Sequence, residues 1–138
     1  MVPSGDWLCR FVRYNDWNFE ESRPWPTAFR ASDRQLSVFH VERVEQCGCA
    51  LQDLCINSLA GAGEAHLRAE DYITAGRDIS PQFNPKVYWR PESVGADWGA
   101  WRDAHAQVES EHGNAKFPQT YRVALALSAT PVRPPTKQ

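Results

Sequence analysis

No stretch of 18 apolar residues interrupts this 138-residue chain, and a helix that crosses a bilayer needs about 20. The opening MVPSGDWLCRF has neither the basic stretch nor the apolar run of a secretory leader, so a soluble protein of the cytoplasm, without a membrane partner, is expected. Basic excess is missing as well. Fifteen Lys and Arg stand against 17 Asp and Glu, a net charge of −2, which exerts no long-range pull on phosphate backbones or anionic lipid. Four cysteines are present, but no C-x-x-C pair, and the C-x-C of Cys47-Gly48-Cys49 suits one tetrahedral ion poorly. The G-x-S-x-G elbow and the H-E-x-x-H metalloprotease order are also lacking. Neither metal nor any other cofactor is expected on this ground.

What is present is aromatic. Six tryptophans in 138 residues each carry a large apolar surface and an indole N–H that needs a partner, so the rings fill the core or face a neighbour. Hydrophobic residues at 42% and charged residues at 23% are ordinary globular values, and the length suits one domain with one core. The expected organisation is a single domain over 1–130 with a flexible tail at 131–138, where PVRPPTKQ is polar and rich in proline.

The alternation in WLCRFVRY, residues 7–14, predicts a first strand, apolar on most of both faces and so central. Asn15–Thr27 holds two prolines around Trp25 and several acids, and reads as an aromatic-rich irregular loop. Leu36–Phe39 is β-like and is followed by a helix near His40–Cys47 with Gly48 as its cap; one helix from Asp33 to Cys47 is the competing reading. Ala50–Leu59 has the pattern of a short helix or turn. Glu64–Ala69 predicts a strand that feeds a helix at Glu70–Ala75, closed by Gly76. KVYWR at 86–90 is a further strand ended by Pro91, and Tyr121–Ala129, after Pro118, is a C-terminal helix. Residues 98–113 fit both periods: Trp98, Trp101, His105, Val108 and His112 fall at helical spacing, while Ala104, Ala106 and Val108 alternate as in a strand. The fold class expected is α+β, or small α/β, with a short mixed sheet and flanking helices.

Several short segments together carry a resemblance: Arg10 and Arg13 on the first strand, AFR at 28–30, LSV at 36–38, Asp53-Leu54 up to the GAG at 61–63, and DAHAQVE at 103–109. In these the chain resembles a small bacterial single-domain family of unassigned function. The resemblance implies a bacterial α/β protein and a strand at Ala104–Val108. It implies no chemistry.

Four constellations carry chemistry by residue type. His40 with Cys47, Cys49 and Cys55 offers soft metal ligands, but Cys47-Gly48-Cys49 is more simply a helix cap. His105, Glu109 and His112 would share one helical face, yet that face also carries Trp98, Trp101 and Val108 and so reads as core. Ser37 or a cysteine could act as nucleophile with His105 or His40 as base and Asp103 or Asp53 as orienter, though Ser37 is more simply bonded to local backbone. Finally, chains resembling ADP-ribosyltransferases use a first-strand arginine for the NAD phosphates, a serine at a second strand and a later glutamate. Arg10 or Arg13, Ser37 and Glu109 occur in that order, without the S-T-S triplet. The bland reading of Arg13 is a salt bridge to Glu20 or Glu21.

A binding surface needs no such convergence. Trp17, Phe19, Arg23, Trp25, Phe29 and Arg30 lie in one proline-rich segment, and Trp and Arg are the residues enriched in binding hot spots. Stacking on single-stranded nucleic acid would use the same rings, but Asp16, Glu20 and Glu21 oppose it. The sequence therefore predicts a non-catalytic protein-binding or accessory subunit with a protein partner and no nucleic acid. The alternative is an NAD-dependent ADP-ribosyltransferase-like enzyme using Arg13, Ser37 and Glu109, with His105 in the same cleft.

Overall fold

The computed structural model describes residues 1–46, 60–79, 82–110 and 116–137. Its sheet is built outward from β1 (Trp7–Val12), whose alternation sends Leu8 and Val12 to one face and Cys9 and Phe11 to the other, all four buried. A strand apolar on both sides belongs in the middle. β1 pairs with β4 (Gln35–His40) and with β5 (Gly63–Arg68); β7 (His105–Glu109) and β6 (Lys86–Trp89) extend one side, and β8 (Thr130–Arg133) closes the other. Every ladder is antiparallel, which makes the domain α+β.

Helices α2 (Ala69–Arg77) and α3 (Gln119–Ser128) contribute Tyr72, Tyr121 and Leu125 to the larger core, over Leu8, Val12, Val38 and Leu67. Phe83, Phe117 and Tyr121 meet edge to face there, with centroids 4.7 to 5.6 Å apart. Burying each such ring contributes about 2–3 kcal/mol. The Tyr121 hydroxyl donates to the Tyr72 carbonyl at 2.8 Å, so its polar end is satisfied inside. The smaller core, on the other face, joins Cys9, Phe11 and Phe39 to Val44 of α1 (Val41–Gln46) and to Ala104, with Trp98 and Trp101 packed at its margin.

The aromatic loop is more regular than its composition predicts. Two-residue strands β2 (Trp17–Asn18) and β3 (Arg23–Pro24) pair, and Asn18 Oδ1 accepts from the N–H groups of Glu20 and Glu21 to close the turn. Residues 131–138, read as a flexible tail, hold a strand instead: β8 pairs with Glu64–His66, and Thr136 donates its N–H to the Gly61 carbonyl. Proline is compatible with this because the strand lies at the sheet edge, where one side needs no donor. Leu36–Phe39 is strand, as the shorter reading of that stretch predicts, and among the described residues the helix covers Val41–Gln46, so it does not begin at Asp33. Gly76 does not end α2, which runs on to Arg77; a side chain at Gly76 would collide with the Pro85 ring. The Gly48 cap and the Ala50–Leu59 turn lie outside the described residues.

Candidate functional site

Between β1 and β4 the ladder is only two pairs long, Leu8 with His40 and Cys9 with Phe39. Beyond it the two strands part. Arg10 spans the seam: Nη1 donates to the Ser37 carbonyl at 2.9 Å and Nε to the Ala28 carbonyl at 2.8 Å, so a β4 acceptor beyond the end of the ladder and a carbonyl of the 3-10 turn Pro26–Phe29 are satisfied by one cation. Burial presses the Arg10 pKa down from its ordinary value, and an arginine tolerates this without losing its charge.

The parting opens a cleft of about 470 Å³. Arg10, Arg13 and Arg30 line it against one carboxylate, Asp16, so a chain of net charge −2 presents a local cationic hollow. Arg30 pairs with Asp16 at 3.2 Å, and the Arg13 side chain, unlike its carbonyl, which accepts the Asp16 N–H, has no hydrogen bond or ion pair among the described residues. One wall is apolar, with Phe39 stacked on Trp98 at 5.2 Å and 14° between planes.

Ser37 and His105 meet in this cleft. Strand β4 pairs with β7 so that Ser37 opposes Gln107 and Phe39 opposes His105, which places Ser37 and His105 diagonally on one face. The Nδ1–H of His105 donates to the Arg90 carbonyl at 2.6 Å, a bond that leaves Nε2 as acceptor for the Ser37 hydroxyl at 3.2 Å. Burial lowers the His105 pKa, so the imidazole is neutral at pH 7 and holds a lone pair toward the serine.

The sequence candidates separate accordingly. Arg13, Ser37 and His105 are brought together as the enzyme alternative requires, and Glu109 is not. Its carboxylate, on the same strand as His105, takes both arms of Arg90 at 2.6 and 3.2 Å and forms no part of the cleft wall. That pairing raises the Arg90 pKa. Of the loop residues, Trp17 and Phe29 are interior, at 4% and 0% exposure, whereas Phe19 and Trp25 face solvent at 49% and 46%. Arg23 pairs with Glu21 at 2.9 Å, which leaves the expected Arg13 salt bridge unmade. His40 is engaged elsewhere, donating from Nε2 to Asp6 at 2.8 Å and accepting the Arg43 N–H at Nδ1. The orienter of His105 is a main-chain carbonyl, and no side-chain signal in the sequence could have shown it. Asp16, Thr27 and Trp98 were likewise missed as cleft residues. Cys47, Cys49, Asp53, Cys55 and His112 lie outside the described residues.

The class these features define is a single-domain α+β protein with a cationic cleft at a split in its sheet. No family model, curated protein or solved structure matches the chain, so its function is read from the cleft.

Proposed function

We propose that the protein is an enzyme acting on a nucleotide-type ligand, with NAD and ADP-ribosyl transfer as the chemistry closest to its residues. The cleft itself carries this reading: a hollow of about 470 Å³ that unites arginines, a stacked aromatic wall and a serine hydrogen-bonded to a neutral histidine. Arg13, the cleft arginine whose side chain has no partner among the described residues, takes a phosphate, where a guanidinium gives a bidentate charge-assisted contact. Trp98, half-buried and backed by the interior Phe39 ring, offers its outer face to a base or nicotinamide ring. His105 Nε2 accepts the Ser37 hydroxyl proton, so the imidazole is the base of the cleft and the serine oxygen its best-placed nucleophile. Asp16 is the carboxylate nearest to hand; a ligand phosphate that draws Arg30 away would free it to meet developing oxocarbenium charge.

Calorimetric titration with NAD, ADP-ribose, ATP and inorganic phosphate tests the reading. A nucleotide should bind, Arg13→Ala should weaken it by about tenfold or more, and incubation with NAD should release nicotinamide. Failure of every nucleotide to bind at millimolar concentration would sink the proposal.

A second reading is favoured by one other surface. A groove of about 130 Å³ between the aromatic loop and α3 is lined by Trp25, Pro26, Val123 and Leu127, and Leu127 is 65% exposed. This supports an accessory-subunit role in which Phe19, Trp25 and Leu127 touch a protein partner. Affinity capture separates the two readings, because Leu127→Asp would abolish a partner that Arg13→Ala leaves bound.

A further inference from the structure

On the side of β1 away from the cleft seam, Cys9, Glu64 and His66 turn toward one point, and none of them lines the cleft. Strand register explains the convergence. Cys9 and His66 are directly opposed across the β1–β5 ladder, so their side chains leave the sheet on the same face. Glu64 precedes His66 by two and shares that face. A register shift between Glu64 and Ala65 interrupts the outer ladder to β8 beside this carboxylate, and such irregularities re-aim side chains.

The three groups make only long hydrogen bonds to one another, and their spacing leaves room for a shared ion. Cys9 Sγ lies 3.9 Å from Glu64 Oε1, and His66 Nε2 lies 3.4 Å from the same oxygen. Good hydrogen bonds between nitrogen and oxygen measure about 2.7–3.2 Å. Tetrahedral zinc with sulfur at about 2.3 Å and nitrogen or oxygen at about 2.0 Å sets its ligand atoms about 3.3–3.6 Å apart; the His66–Glu64 pair falls in that range, and the Cys9–Glu64 pair lies a little beyond it. All three ligand atoms fall within 4.8 Å of one another. Cys9 and Glu64 are buried and His66 partly so, which is unlike an exposed cluster of acids.

We propose that Cys9, Glu64 and His66 form a binding site for a zinc-class divalent cation, with the fourth position left to water or a ligand atom. Thiolate, imidazole and carboxylate together select zinc or cobalt over magnesium and calcium, which take oxygen alone. Binding displaces the Cys9 proton to solvent and forms the metal–sulfur bond, and the two anionic ligands neutralise the dication. Arg133 completes the second layer. Its Nε lies 3.2 Å from Glu64 Oε2, so one carboxylate oxygen is held by the arginine while Oε1 remains for the metal.

Cobalt(II) titration of the metal-free full chain provides the test, read by the thiolate-to-cobalt charge-transfer band in the near ultraviolet. One equivalent should bind. The band should vanish in Cys9→Ser and persist when Cys47, Cys49 and Cys55 are all changed to serine. His66→Gln, at a partly exposed strand position, should weaken binding by about tenfold or more and serves if Cys9→Ser does not fold. The proposal is overturned if no such band appears, if it survives Cys9→Ser, if the triple variant loses it, or if His66→Gln leaves affinity unchanged. Nucleotide binding does not enter any of these outcomes, so the site stands or falls apart from the function of the cleft.

Discussion

Arg10 joins the two halves of the sheet where their ladder ends, and its guanidinium is the partner of the Ser37 and Ala28 carbonyls. Replacing it by methionine keeps the aliphatic stem but leaves two acceptors unmet, which should lower stability by about 2–4 kcal/mol in urea titration. Arg10→Lys, with a single point of donation, should fall between. His105 makes a prediction of opposite character. Its pKa is lowered in the fold by burial, so the native state favours the neutral ring. That preference contributes stability above the ordinary histidine value of about 6.5, and the contribution is lost as pH falls from there through the lower native pKa. The urea midpoint should therefore drop more steeply below about pH 6.5 in the wild type than in His105→Gln, and equal slopes would refute the assignment. At this scale the sequence showed residue types and withheld distances. Arg13, Ser37 and His105 were legible as candidates, but the carbonyl that fixes the His105 tautomer is present in every residue and marks none. Glu109 looked as eligible as any acid until Arg90, which had no reason to stand out, took both its oxygens.

Among the elements, the central strand and the C-terminal helix were readable because one period dominates each. Leu8, Cys9, Phe11 and Val12 are buried on both faces of β1, and Tyr121 and Leu125 recur at a helical interval on the buried side of α3. Residues 98–113 were ambiguous because two structures meet inside them. Trp98 and Trp101 sit three apart in a stretch of 3-10 turns over Ala96–Ala104, broken at Gly99 with φ of 55°, and β7 begins at His105. A single period fitted across that junction had to fail. Gly76 was read as a helix stop when its reason is lateral, the Pro85 ring packed against the helix side. Gly76→Ala should thus cost about 1–3 kcal/mol in thermal or urea unfolding, where a mid-helix alanine would otherwise help. Gly63 is equally confined, with the Arg133 carbonyl and the Pro135 nitrogen each 2.6 Å from where a Cβ would stand. Gly63→Ala should loosen β8 first, seen as faster amide exchange in β5 and at Thr136 with the centre of the sheet unchanged.

For the whole molecule, a ligand that binds only the folded chain adds RT ln(1 + [L]/Kd), about 2.7 kcal/mol at a hundredfold excess over Kd. Nucleotide should raise the unfolding midpoint of the wild type by a corresponding amount and that of Arg13→Ala by much less, a comparison that needs no knowledge of the acceptor. The segment from Thr130 onward has a part in the life of the molecule that its composition conceals. Pro131 interrupts the outer rim of β8 and Pro134 and Pro135 follow directly, so the last strand has few main-chain donors to offer a second copy of the chain. Deleting residues 130–138 would bare the flank of β5, an uninterrupted row from Gly63 to Arg68 with no proline in it. Such a truncated chain should self-associate edge to edge with rising concentration in sedimentation, the outcome expected if β8 guards β5 against polymerisation.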